Sequence, residues 1–353
     1  MPIDDPWSIP SPDRPEDQVA IGQGALVISE LSPPTPLDLQ IGWFPKSNVP
    51  AFLRDALFAE TDSQTFAILD AAKVTGLSEM LEHSGLEHRC LFKGKAYDDL
   101  GDVAPWLVRL EENNGFTRNL FTRGDASWHL WQSDPGIYLR STASLEELWQ
   151  HFRKFIRMRD SQENWLLFRF WETGYLYSYL RHFATNRPDL IRRLCLTRDG
   201  MPITFINCSF GKEVFQQASP RVDLLEHVDA APPILDEQER AALKALRRQQ
   251  NTYEMARDLK GTYPQLAAVA LREVYRRVDL AQSFMRSIGV SDGLLIGRYI
   301  LLSTVYLPKL QESPAFRAAV TRPGATAEEN LRDSLDVLKL QLSRMDGGFR
   351  AWW

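Results

Sequence analysis

Three cysteines in 353 residues, Cys90, Cys195 and Cys208, are odd in number and far apart. They form no CxxC pair and no His/Cys cluster with the spacing of a tetrahedral metal site, so reduced structural thiols are expected. Long apolar runs are also missing. The longest, residues 294–307, is interrupted by Arg298 and reads as a buried helix, too short to span a bilayer. The opening MPIDDPWSIPSPD is acidic and proline-rich, with neither the basic nor the apolar segment of a secretory leader, which predicts a cytoplasmic protein. Dense blocks of Lys or Arg are absent and the formal net charge is −5, which argues against nucleic acid and membrane surfaces as partners. The charge is uneven: from residue 235 onward there are 18 basic and 14 acidic side chains, so the excess of acid lies in the first two thirds.

Catalytic signatures are scarce. There is no GxSxG elbow, no HExxH and no GxxxxGK phosphate loop, and the one GxG, at Gly22 and Gly24, lacks the third glycine of a dinucleotide fingerprint and reads as a turn. The six histidines, at 83, 88, 129, 151, 182 and 227, show no ligand spacing on a helix face. Neither cofactor nor metal is expected from these patterns.

What is present is an ordinary globular composition, 44% apolar and 25% charged, in a chain long enough for two domains. Residues 1–60 read as an arm or lead-in, with the turn-prone Ser32-Pro33-Pro34-Thr35-Pro36 and a short helix over 49–59. From 61 to 228, strand and helix signals alternate. Strands are predicted at 66–71, 88–92, 105–110, 136–141 and 203–210, and helices at 77–83, 144–156 and 189–195. The firmest start is Ser144 with Glu147 three residues on, a capping box that opens a helix with Leu145, Leu148, Trp149 and Phe152 on one face. This predicts an α/β domain, a mixed sheet covered by helices. Beyond a hinge at 229–234 the strand signals stop, and residues 235–353 read as an all-α domain with helices over 236–259, 264–288, 292–307 and 327–345.

The densest aromatic stretch is residues 165–183, WLLFRFWETGYLYSYLRHF. Residues 165–171 are of strand length and interrupted only by Arg169, and Tyr175, Tyr179 and Phe183 then follow at helical spacing. A guanidinium among rings requires a carboxylate partner, which points to Glu172 or a more distant acid. The indoles Trp128 and Trp131 flank a turn, one expected in the core and one at an interface, and the terminal Trp352-Trp353 are expected to dock on a surface. Asp98, Asp99 and Asp102 read as an acidic loop able to hold a cation with His83 or His88, or to supply a general base. Glu172 with His129 or Asp134 offers a second acid–base pair. Solvated caps and a structural ion pair are the simpler readings of both.

The segments Phe66-Ala-Ile-Leu-Asp-Ala-Ala72, Cys90-Leu-Phe-Lys-Gly94, Leu100 to Leu110 (LGDVAPWLVRL), Gly136 to Ser141 (GIYLRS) and Leu167 to Trp171 (LFRFW) come in an order that resembles the type VI secretion adaptor chaperones. These are bacterial cytoplasmic proteins, of the Tap or TEC type, that help load toxic effectors onto the VgrG spike. The resemblance spans residues 64–180. Asp70, Pro105 with Trp106, and Arg169 with Phe170 match its pattern, whereas its Asp-Pro is Glu172-Thr173 here. It implies a protein that binds an effector and VgrG, needs no cofactor and performs no catalysis, with the helical C-terminal region conferring effector choice. Rigid aromatic side chains suit such a scaffold, and Trp106, Arg169, Trp171, Glu172, Tyr175 and Tyr179 are expected to frame the partner-binding surface. The rivals are a hydrolase or transferase using Glu172 or the Asp98/Asp99/Asp102 loop, and a structural component of a larger assembly.

Overall fold

The computed structural model describes residues 21–31, 35–41, 46–59, 62–208, 214–225 and 234–345. Among them are the strands β1 (Ile21–Gln23), β2 (Leu26–Glu30), β3 (Gln64–Asp70), β4 (His88–Cys90), β5 (Pro105–Leu110), β6 (Gly136–Ser141), β7 (Arg157–Asp160), β8 (Trp165–Leu167), β9 (Thr204–Cys208), β10 (Phe215–Pro220) and β11 (Ile234–Leu235). The helices of the same region are α1 (Ala51–Phe58), α2 (Leu77–Ser84), α3 (Lys95–Leu100), α4 (Gly115–Phe121), α5 (Leu145–Phe152), α6 (Thr173–Asn186), α7 (Pro188–Cys195) and α8 (Val222–Leu225). Then come α9 (Glu237–Thr262), α10 (Leu271–Ser287), α11 (Gly293–Leu301), α12 (Pro314–Val320) and α13 (Ala327–Met345).

Eight strands form one sheet in the order β1-β2-β10-β9-β6-β3-β5-β4. Six of the seven residues of β3 are buried, because this strand is covered on both faces and so reads as a near-continuous apolar run. Its side chains divide by the period of two. Phe66 and Ile68 join Leu107, Leu139 and Phe205 on the face covered by α5, α6 and α7, while Ala67 and Leu69 join Val108, Tyr138 and Ile206 on the face covered by α1, α2 and α4. Gly136 opens β6 opposite Leu69, and a Cβ there would lie 1.9 Å from the Ile68 carbonyl oxygen, so the close approach of β6 to β3 requires glycine. The capping box at Ser144 forms as predicted: the Ser144 N–H donates to Glu147 at 2.7 Å and the Glu147 N–H donates back to Ser144 Oγ at 3.3 Å.

The α/β class with a helical C-terminal region holds. The strand pairs of the large sheet are all antiparallel, and the mixed pairing belongs to a separate three-stranded sheet, β11-β7-β8, in which β11 runs parallel and β8 antiparallel to β7. Two expectations are corrected. Residues 21–30 are no mere lead-in: β1 and β2 hydrogen-bond into the large sheet through β10. The strand expected over 165–171 ends at Leu167, after which residues 168–171 leave the sheet and bury Phe168 and Phe170.

The chain divides into two compact units, and the division falls between Arg247 and Arg248, inside α9, not at 229–234, whose first five residues lie outside the described set. Leu243 and Leu246 of α9 belong to the core of the first unit, and Ala256 to that of the second. In the second unit, Val274, Val278, Ala281 and Met285 of α10 share one core with Leu331 and Leu335 of α13, three or four residues apart along each helix. Tyr299 stacks on Phe316 at 5.7 Å. The ammonium of Lys260 donates to the carbonyls of Leu266, Ala267 and Val269 at 3.1, 2.8 and 2.6 Å, closing the end of α9. A π-helical turn at Leu302–Tyr306 continues α11. Among the described residues no helix is long and apolar enough to cross a membrane.

Candidate functional site

Strand β3 ends on a carboxylate, Asp70, that is 1% exposed, and a buried charge of this kind stands only where donors surround it. Arg169 Nη2 lies 2.6 Å from Asp70 Oδ2, the Trp171 indole N–H donates to the same oxygen at 3.2 Å, and the Ala72 N–H donates to Oδ1 at 3.0 Å. The guanidinium of Arg169 bridges onward, its Nε 2.6 Å from Glu172 Oε1, and Arg247 of α9 contacts the other oxygen of Glu172. Glu172 is 3% exposed and stands at the N-cap of α6, yet its carboxylate does not cap the helix. It turns toward the two arginines, and the side chain of Thr173 at the helix start donates instead to Asp134 at 3.0 Å. Two carboxylates and two guanidiniums thus neutralise one another and tie the end of β3 to the start of α6 and to α9.

The predicted partner of Arg169 is therefore present, both as Glu172 and as Asp70. The partner-binding frame is corrected. Trp106, Trp171, Tyr175 and Tyr179 are buried in the two cores that flank the sheet, and of the six residues only Arg169, at 30%, keeps appreciable exposure. Tyr179 packs on Phe168 at 4.7 Å and on Phe183 at 4.8 Å, and burial pushes the Tyr175 and Tyr179 phenols above their ordinary range. These rings lie inside because residues 168–171 and α6 turn their apolar side chains onto one face of the sheet.

The acidic candidates do not converge. Asp98 and Asp99 stand on a helix, α3, and Asp102 on the 3-10 turn after it, not on a loop, and Lys95 holds Asp99 at 2.8 Å one helical turn away. His83 and His88 donate through Nδ1 to the carbonyls of Glu79 and Leu86. Among the described residues no three His, Cys, Asp or Glu side chains come together in a metal-binding group. Of the two indoles near the turn, Trp131 is buried and stacked on Phe215, while Trp128 is exposed. Trp352 and Trp353 lie outside the described residues.

The surface features that sequence reasoning missed lie at the other end of the aromatic stretch. Trp165 and Leu167, both 59% exposed, border a groove of about 710 Å³ together with Phe92, Leu100 and Ile156. Lys93, Arg153, Lys154 and Arg157 also line this groove, and no acidic residue does. The available signal was the run Arg153-Lys-Phe-Ile-Arg-Met-Arg159, where bases interleave with apolar residues just before β8.

Residues 65–188 match the model of a family described as a domain of unknown function, DUF4123. That family is associated with type VI secretion effector adaptors. No curated protein and no solved structure matches the chain. The matched segment runs from β3 to the first residue of α7. It contains Asp70, Arg169, Glu172 and every residue that lines the groove, whereas Arg247 and the second unit lie beyond it.

Proposed function

We propose that the protein is a cytoplasmic adaptor chaperone that binds a type VI secretion effector and promotes its loading onto the VgrG spike. The match of residues 65–188 to a family associated with such adaptors carries the reading. The physics of the molecule supports it in two ways. The charged cluster around Arg169 is closed on itself, which suits a framework tie better than an acid or base that must accept a proton from a substrate. The large apolar groove beside β8 is the kind of exposed surface that in a protein of ordinary composition marks a contact with another molecule. No nucleotide or cofactor enters the scheme, because a handover from adaptor to spike requires only that the effector bind the spike-associated state more tightly than the free one.

The test is co-expression of the full chain, tagged, with a toxin and a spike protein encoded beside it. The expected result is a stoichiometric complex of adaptor and effector that also retains VgrG, and loss of effector secretion when the adaptor gene is deleted. An adaptor that purifies folded but retains neither protein, in a strain whose effector is secreted equally well without it, would overturn the reading.

A further inference from the structure

The groove beside β8 has three properties that together define an occupant. Its walls are apolar, with Trp165 and Leu167 more than half exposed, so it gains from covering by apolar side chains. Its rim is of one sign in a chain of net charge −5, and Lys93, Lys154 and Arg157 are exposed with no carboxylate in ion-pair reach among the described residues; Arg153 lies over the Trp149 ring. The nearby acids, Asp98 and Asp99 of α3 and Asp102 of the turn after it, are not among the groove's lining residues. Finally, β8 is the last strand of the order β11-β7-β8, so among the described residues one of its edges has no strand beside it. An open edge is a row of unpaired amides and carbonyls that another extended chain can satisfy.

We propose that this groove takes an extended polypeptide segment as a fourth strand on the free edge of β8, with alternate side chains apolar and acidic. The apolar ones enter the groove and the acidic ones face Lys93, Lys154 and Arg157. The proposal rests on the adaptor reading, and identifies the segment as part of the cargo. A strand's period of two separates the apolar set, directed at the floor of the groove, from the acidic set, directed at its basic rim, so backbone pairing supplies affinity while the pattern supplies choice. A nucleic acid strand would meet the basic rim and could stack on Trp165, yet it has no amide row to pair with β8 and leaves the aliphatic walls of Leu100, Ile156 and Leu167 uncovered. A polypeptide satisfies all three properties at once.

The test uses the full chain and a fluorescein-labelled synthetic decapeptide alternating valine and glutamate, read by fluorescence anisotropy. Three controls accompany it: the same peptide with lysine for glutamate, the same with a central proline, and oligo-dT. The acidic peptide is expected to bind at least tenfold more tightly than the other three, and to weaken as salt is raised. Trp165→Asp is expected to abolish binding. The double variant Lys154→Glu/Arg157→Glu is expected to reverse the preference between acidic and basic peptides. Both variants should keep the unfolding midpoint of the parent. Equal binding of acidic and basic peptides, indifference to the proline, tighter binding of oligo-dT, or self-association abolished by Trp165→Asp would each overturn the proposal, the last by making a second copy the occupant. The two readings fail separately. If Trp165→Asp loses the peptide but still retains effector and VgrG, only the groove assignment falls; if the parent binds the peptide but never retains an effector, only the adaptor reading falls.

Discussion

Two aromatic side chains fourteen positions apart in the sequence, Trp165 and Tyr179, meet opposite fates, and the difference is one of burial. Tyr179 is 2% exposed and held between Phe168 and Phe183, so Tyr179→Ala should lower the free energy of unfolding by about 3–5 kcal/mol in urea titration. Trp165 stands in solvent, and Trp165→Ala should change it by no more than about 0.5 kcal/mol. A comparable loss at both positions would refute the assignment of one ring to the core and the other to the surface. His151 makes a second prediction. It is buried on α5 against Phe152 and Phe155, its Nε2–H donates to the Leu194 carbonyl at 3.0 Å, and burial, helped by the nearby charges of Lys154 and Arg193, pushes its imidazole down to about 4. In the unfolded chain the same group takes up its proton near pH 6.5. Below that pH the unfolded state binds a proton that the folded state refuses, so stability falls as the pH drops from about 6.5 to about 4, by a total of ~3 kcal/mol. Urea titrations at pH 7 and pH 4.5 read the effect, and His151→Gln, which keeps the donor without the titration, should flatten this part of the profile. An unchanged slope in that variant would place the pH dependence elsewhere.

At the scale of elements, the sharpest constraint is a glycine. Gly136 lets β6 approach β3 so closely that any Cβ would strike the Ile68 carbonyl, and backbone cannot yield as a flexible side chain can. Gly136→Ala should therefore lower the thermal midpoint strongly, far beyond what Gly200→Ala does at a turn where a Cβ meets nothing within 4 Å, although Gly200 has a positive φ of 81°. Similar midpoints for the two variants would show that the sheet can open at β6. The sequence announced this strand as a short apolar run, and β5 and β6 fall on the residues predicted. It announced α5 by the capping box, a local device that needs no tertiary context. It did not announce β1 and β2 as sheet members, because a strand's membership is settled by a partner nearly 190 residues away in β10, at pairs such as Gln217 with Ser29. The same reason hid the site. Arg169 could be seen to need an acid, and Glu172 was near enough to find, but Asp70 and Arg247 reach it only through the fold. Aromatic density does not separate surface from core, because rings serve cores and interfaces equally, and only the placement of helix α6 on the sheet decides between them.

For the whole molecule, the separation of cores argues that two folding units share one chain. The buried apolar residues of the third cluster all come from α9 onward, starting at Ala256, and those of the first two end at Leu246. The family match stops at residue 188, so nothing in it requires the second unit to fold with the first. A bundle in which α13 packs on α11 and α12 around a core shared with α10, with its own closure of α9 by Lys260 and a Glu328 carboxylate that accepts the Ser291 and Asp292 N–H groups at 3.0 Å, has the internal contacts of an autonomous domain. Residues 248–353 expressed alone should accordingly show a helical circular dichroism spectrum and one cooperative urea transition, and the full chain should unfold in two steps, one of them near the midpoint of the fragment. A fragment that melts without cooperativity would mean that the α/β unit is needed to hold the helices together. The two-step outcome bears on the proposed function as well, since an adaptor of that kind would be served by two bodies that can keep their structure independently.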